Sequence, residues 1–270
     1  MTGSHNVITQ LQYLKNSRLW DIVKPYQIVR TPQPGLRNNN LEFEQFEIEV
    51  ADVRSLCERP RIDQWGFEWI EGKCDETLED VESINRHIGF LEEIVLAKLG
   101  AEKVFTIQQQ RRKRRIDGVR APGTRPTSKF VHIDITPRAA RARFQYHFPT
   151  EAEQIGDRRL RFLSVWHPMF GPIRDNPLAV CDSRTVHDED LIESNMVFLN
   201  FEDETFAVKF NPAHKWYYMS DQSPENLPLI VNSDSLARTR VPHTGFLIHD
   251  NLESIERTGE SFEVKMLVVG

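Results

Sequence analysis

The chain has 270 residues, a formal net charge of −6, 39% hydrophobic and 27% charged residues, a composition that excludes fibrous and disordered classes. No apolar run approaches the roughly 20 residues that cross a bilayer. The acidic balance argues against nucleic acid as the main partner, because a phosphate backbone needs a basic face. Residues 1–11 show neither the charged segment nor the apolar core of a secretory signal. Three cysteines, Cys57, Cys74 and Cys181, are odd in number and widely spaced, which fits free thiols in a reducing cytosol. A cytoplasmic protein without membrane or nucleic-acid partners is expected.

In chain order, the Pro-, Gly- and Asn-rich residues 31–40 read as an exposed connection. Leu41, Phe43, Phe46, Ile48 and Val50 then come close to a period of two, which predicts a half-buried strand. Leu78, Val81, Ile84, Ile88, Leu91, Val95 and Leu99 recur at three- and four-residue steps, the stripe of one long helix. Thr77 or Asp75 is the expected N-cap, and Gly100 the residue that ends it. The basic run at residues 111–115 and the Pro- and Gly-containing residues 118–128 read as a solvated surface loop.

From residue 129 the texture changes to short runs separated by turn residues: 130–135, 161–166, 178–180, 196–201, 205–210, 216–219, 227–231 and 262–269. That pattern predicts a β-sandwich or barrel, with the helical N-terminal part packed on it as one cooperative unit. No segment of flexible composition divides the two parts.

The best chemical signal is Val131-His132-Ile133-Asp134. On a strand, residues i and i+2 share a face, so His132 and Asp134 project together. An imidazole and a carboxylate side by side are two thirds of the facial triad that binds non-haem Fe(II). Two histidines compete for the third place. His243 follows an apolar strand (227–231) and a polar turn (232–235), an order that resembles the distal-ligand segment of taurine-dioxygenase-like enzymes. His214 stands beside Trp216, Tyr217 and Tyr218, where a histidine more often forms core or pocket wall. His243 is therefore preferred. Neither a nucleophile elbow nor a glycine-rich phosphate loop occurs.

The string Val165-Trp166-His167-Pro168-Met169-Phe170-Gly171-Pro172, continued by Asp175-Asn176-Pro177-Leu178-Ala179-Val180-Cys181-Asp182, resembles a block of the hydroxylase/desaturase family of fungal secondary metabolism. That family is similar in turn to the hydroxylase component of cephalosporin 7-methoxylation. Further blocks match in order at 99–101, 131–136, 211–218, 242–246 and 260–265, so the resemblance runs from about Phe43 to the C-terminus. It implies a mainly β fold with flanking helices, a distorted double-stranded β-helix (jelly roll, cupin-like). Residues 1–128 would pack on a core of residues 129–270 in a single oxygenase domain. It also implies Fe(II) as cofactor, 2-oxoglutarate as co-substrate, O2, and a small secondary-metabolite precursor hydroxylated, desaturated or cyclised at an unactivated C–H bond. The resemblance also admits a homodimer.

Within that frame iron falls to His132, Asp134 and His243, and the substrate cavity to Trp166, His167, His214 and Tyr217. The co-substrate's far carboxylate falls to Arg257, fourteen positions after His243, or to Arg238, with Arg240 and Lys265 behind them. The family usually carries Arg at positions 167 and 265, where this chain has His and Lys; Lys offers a point charge where Arg would grip a carboxylate with two prongs. Those departures keep alive a metal-free β-sandwich that binds a metabolite or partner protein without turnover. A cupin-type site with three or four histidines stands below both.

Overall fold

The computed structural model describes residues 5–29, 35, 37–74, 78–113, 124, 128–248 and 260–270. The first part of the chain gives β1 (Val7–Leu14), β2 (Tyr26–Ile28), β3 (Phe43–Asp52), the one-turn α1 (Ile62–Trp65), β4 (Phe67–Glu71), α2 (Val81–Leu99) and β5 (Lys103–Lys113). Next come β6 (His132–Ile133), α3 (Pro137–His147), α4 (Pro149–Ile155), β7 (Leu160–Pro168), β8 (Leu178–Cys181), β9 (Leu191–Val197) and β10 (Glu202–Val208). The last four strands are β11 (Trp216–Tyr218), β12 (Asn226–Asp234), β13 (His243–Gly245) and β14 (Glu260–Val269).

They form a jelly roll of two sheets. Nine strands run in the order β1-β3-β11-β8-β13-β6-β10-β9-β2, and five in the order β4-β12-β7-β14-β5. Both sheets draw strands from before and after residue 128. Among the described residues no helix is long and apolar enough to cross a membrane.

The pleat of β7 and β14 divides the five-stranded sheet into two faces. Leu163, Val165, Val264 and Met266 face outward into a core that the stripe of α2, Leu91 and Val95 with Ile84 and Ile88, covers. Phe162 and Leu267 face the other way and pack with Phe144 of α3 and Ile155 of α4. Trp166 and Ile230 meet Val180 and Tyr217 of the nine-stranded sheet.

Several expectations are corrected. Asp80 caps α2, accepting the Ser83 amide at 2.7 Å in a capping box; Asp75 and Thr77 lie outside the described residues, and Leu78 stands before the helix at φ +55°. Gly100 ends it in the left-handed conformation, as expected. Arg111, Arg112 and Lys113 are the end of a strand and not a solvated loop, because β14 sets buried Glu260 and Glu263 beside them. Those acids lie some 150 residues away in sequence, so the run reads as solvated until the sheet forms. Arg114 and Arg115 are outside the described residues.

The strand expected at 196–201 is shifted to β9; Phe198 and Phe201 stack at 4.3 Å across the turn that follows. The polar turn expected at 232–235 begins only at Ser235; residues 232–234 are the buried end of β12, for Asn232 and Asp234 both find partners across the fold. α3 and α4 escape the periodicity test because only a narrow edge of each is apolar, although Thr136 followed by Pro137 is a helix start that the chain spells out.

Leu91 is fully buried where α2 lies on the sheet. Leu91→Ala should therefore cost about 2–5 kcal/mol of stability, read as a lower urea midpoint with an unchanged slope.

Candidate metal centre

Position begins with β6, a strand of two residues. His132 pairs in register with His243 on β13 and with Ala207 on β10. Asp134, two residues beyond His132, lies on the same face and completes the group. One donor atom from each of the three lies within 4.8 Å of the others. His132 Nε2 stands 3.7 Å from Asp134 Oδ1, and His243 Nε2 3.6 Å from Asp134 Oδ2.

The tautomers follow from the backbone. His132 Nδ1 donates to the Phe130 carbonyl at 2.9 Å, and His243 Nδ1 to the Val241 carbonyl at 3.1 Å. Each neutral imidazole has one N–H, so both Nε2 atoms present bare lone pairs toward the carboxylate. Burial first, then neighbouring His243, pushes the His132 pKa down to about 4, which keeps that ring neutral in ordinary buffers. Burial raises the Asp134 carboxyl, but the Lys265 ammonium beside it holds it well below its usual range. Three converging donors without a proton between them suit a divalent cation. This donor set fits iron.

Asp134 is held from the opposite sheet. Ser164 Oγ on β7 donates to Asp134 Oδ2 at 3.0 Å, Asn232 Nδ2 on β12 donates to Ser164 Oγ at 2.9 Å, and the Asp134 amide donates to Asn232 Oδ1 at 3.1 Å. All three side chains are buried. Sequence reasoning missed Ser164 and Asn232; the inward parity of β7, set by Phe162 and Trp166, was the signal for the first. Lys265 Nζ completes the surroundings at 2.6 Å from Asp134 Oδ1.

A cavity of about 440 Å³ opens beside the group, with His132, Asp134 and Lys265 on its wall. Phe130, Phe206 and Met196 give it apolar surface, and Arg112 and Arg143 line it as well. A second space of about 30 Å³, sharing Arg112, Ser128 and His132 with the first, lies between His132, His243 and Trp166.

The other expected site residues are dispersed. Trp166 faces the centre, but His167, next on the same strand, points to the opposite face under α2, so its expected place in the substrate cavity is corrected by strand parity. His214 stacks on Tyr13 at 5.8 Å and contacts Asp190 at 3.2 Å, away from the other two histidines. Tyr217 packs against Trp65 and Phe67 in the core and lines neither space. Arg238 and Arg240 share Asp188, and the Arg238 side chain is 84% exposed. Arg257 lies outside the described residues.

Residues 11–269 match the family described as the oxidoreductase/YMDC permease-like domain. The chain belongs to that family. Among curated proteins it is 27% identical over 252 residues, 89% of each chain, to the Fe(II)/2-oxoglutarate-dependent dioxygenase nvfI of Aspergillus novofumigatus. It is 26% identical over 235 residues, 77% of this chain and 79% of the other, to the hydroxylase/desaturase efuI of Hormonema carpetanum. A solved variant of the iron and alpha-ketoglutarate-dependent endoperoxidase NvfI superposes with a TM-score of 0.89 at 25% identity, covering 100% of this chain and 99% of that one. For this member of the family, the jelly roll is thus seen both in its own strands and in a solved relative.

The turn after Asp134 is pinned by Glu204 on β10. Its carboxylate accepts from Thr136 Oγ at 2.6 Å and from Lys24 and Arg138. Burial raises the Glu204 pKa, yet these three donors outweigh it and bring it down to about 2. A depressed acid stabilises the fold fully above its unfolded pKa, about 4.3, and loses that contribution as pH falls toward the folded value. Glu204→Gln should accordingly be less stable than the parent at pH 7. Urea unfolding at pH 7, 4 and 2.5 should show that gap closing as pH falls; a gap independent of pH would contradict the assignment.

Proposed function

We propose that His132, Asp134 and His243 hold Fe(II), and that the cavity beside them takes 2-oxoglutarate and a small organic substrate. The protein is an Fe(II)/2-oxoglutarate-dependent oxygenase of secondary metabolism, acting by hydroxylation, desaturation or oxidative cyclisation of an unactivated C–H bond. The observation that carries the ligand assignment is the pair of lone-pair-bearing Nε2 atoms facing one buried carboxylate. The chemistry supplied by bound iron and 2-oxoglutarate is O2 activation coupled to oxidative decarboxylation, with oxidation of the substrate.

The chain's own residues orient and enclose. The Phe130 and Val241 carbonyls fix the imidazoles, and Ser164 with Asn232 fixes the carboxylate. Phe130, Phe206 and Met196 keep the substrate's apolar body from water. An anion buried near the centre needs a cation, since an unpaired carboxylate costs several kcal/mol. Among the described residues Lys265 supports this role best: it lines the cavity from the strand after the distal histidine. Arg257, placed by its spacing, is the other arm of the same proposal, while the exposed position of Arg238 on Asp188 speaks against it. Cys57, Cys74 and Cys181, none of them in a disulfide among the described residues, support a reducing compartment, the cytoplasm.

Anaerobic Fe(II) titration tests the ligands. His132→Ala, Asp134→Ala and His243→Ala should each reduce iron occupancy to near zero, and His214→Ala should leave it unchanged. Ser164→Ala should weaken iron by roughly ten- to a hundredfold, the usual effect of a residue that orients a ligand. Loss of iron in His214→Ala with retention in His243→Ala would reverse the assignment.

The co-substrate is tested separately. Lys265→Ala should raise the 2-oxoglutarate KM by roughly one to three orders of magnitude, a loss of about 1.5–4 kcal/mol, and Arg238→Ala should not. A normal KM in Lys265→Ala with a raised one in Arg257→Ala would transfer the role to Arg257.

A further inference from the structure

On the far side of the five-stranded sheet from the metal centre, three titratable side chains form a hydrogen-bonded file. Cys74 Sγ lies 2.9 Å from His87 Nδ1, and His87 Nε2 lies 3.1 Å from His167 Nδ1. Cys74 follows β4, His87 stands on the buried face of α2 and His167 near the end of β7. Both histidines are buried, His87 completely, whereas Cys74 is partly open to solvent. The imidazole rings lie 4.8 Å apart beneath Phe262 and Phe90.

The direction of the file is set at its inner end. His167 donates to the Pro224 carbonyl, and burial followed by the proximity of His87 brings its pKa down to about 4, so the ring is neutral with a single N–H. With its Nδ1 turned to His87, the N–H at the carbonyl must be Nε2–H, and Nδ1 is an acceptor. His87 therefore donates from Nε2 and keeps its Nδ1 lone pair for the thiol. A thiol, a base within reach, and a third group orienting that base are the parts of an activated nucleophile.

We infer that Cys74, His87 and His167 form a nucleophile, base and positioning residue, which makes Cys74 a covalent modification site for small soft electrophiles such as hydrogen peroxide. The S–H proton passes to His87 Nδ1, and the thiolate attacks one peroxide oxygen. An S–O bond forms as the O–O bond breaks, sulfur loses two electrons to give a sulfenic acid, and the departing hydroxide takes the proton back from His87 to leave as water. No part of this step uses the iron site, so it stands apart from the oxygenase reading.

The chain carries its own controls. Cys57 is exposed and has no such file among the described residues, and Cys181 is buried, its thiol pushed up first by burial. At pH 7 an ordinary thiol is only a few per cent thiolate, and a low-pKa thiolate is intrinsically less nucleophilic, so activation should make Cys74 roughly tenfold faster than Cys57. The experiment is limited alkylation of the full chain with iodoacetamide, with each cysteine peptide quantified by mass spectrometry. His87→Gln should bring the Cys74 to Cys57 ratio to one or below, and His167→Gln should lower it as well, with Cys181 unlabelled as proof that the fold persists. Peroxide followed by dimedone should tag Cys74 in the parent and much less in His87→Gln. If His87→Gln exposes Cys181, His167→Gln decides. The inference is overturned if Cys74 reacts no faster than Cys57, or if a folded variant keeps the parent's ratio.

Discussion

Two backbone carbonyls decide what the centre can do. Those of Phe130 and Val241 each bind an Nδ1–H, and by doing so they turn two imidazoles into lone-pair donors aimed at one carboxylate. A side-chain partner in their place could rotate or titrate. A peptide carbonyl can do neither, so the tautomers follow from the chain path as soon as β6 and β13 pair. The remaining supports act on the carboxylate, from the other sheet, through Ser164 and Asn232. The centre is thus a seam: the nine-stranded sheet carries its imidazoles, and the five-stranded sheet holds the group between them.

The same seam explains the charge pattern in the interior. Arg112 with Glu263, Lys265 with Asp134, and Arg143 with Asp203 bring opposite charges together on or near the cavity wall. Buried pairs of this kind are weak sources of stability, since desolvation offsets most of their attraction. They do leave a polar, cation-bearing wall close to the centre, with Phe130, Phe206 and Met196 as apolar surface beside it. A site of this make-up suits a co-substrate with two carboxylates together with a largely apolar substrate.

What the sequence revealed and what it concealed divide along a physical line. The alternation at Phe43–Asp52 and the stripe of α2 are local signals and were legible, as was the His132–Asp134 spacing. Concealed features depend on partners far away in sequence: Glu263 for Arg112, and Asn232 and Ser164 for Asp134. A run of arginines looks solvated, and a stretch of Asn, Ser and Asp looks like a turn, until the opposing strand is known. His167 shows a subtler limit. Its place in a block resembling a family motif drew it toward the cavity with Trp166, yet neighbours on a strand cannot share a face.

The span between the donors has a kinetic consequence. His132 and Asp134 are adjacent almost from the start, but His243 comes more than a hundred residues later and reaches them only when β13 enters between β8 and β6. Loops of that length close slowly, because their entropy is lost before any contact compensates it. On the proposed ligand set, a chain still emerging from the ribosome carries two of the three donors, and the set is complete only when β13 is in place. Iron capture by that set would therefore mark a molecule in which β13 has closed, a clock for the closing step of assembly.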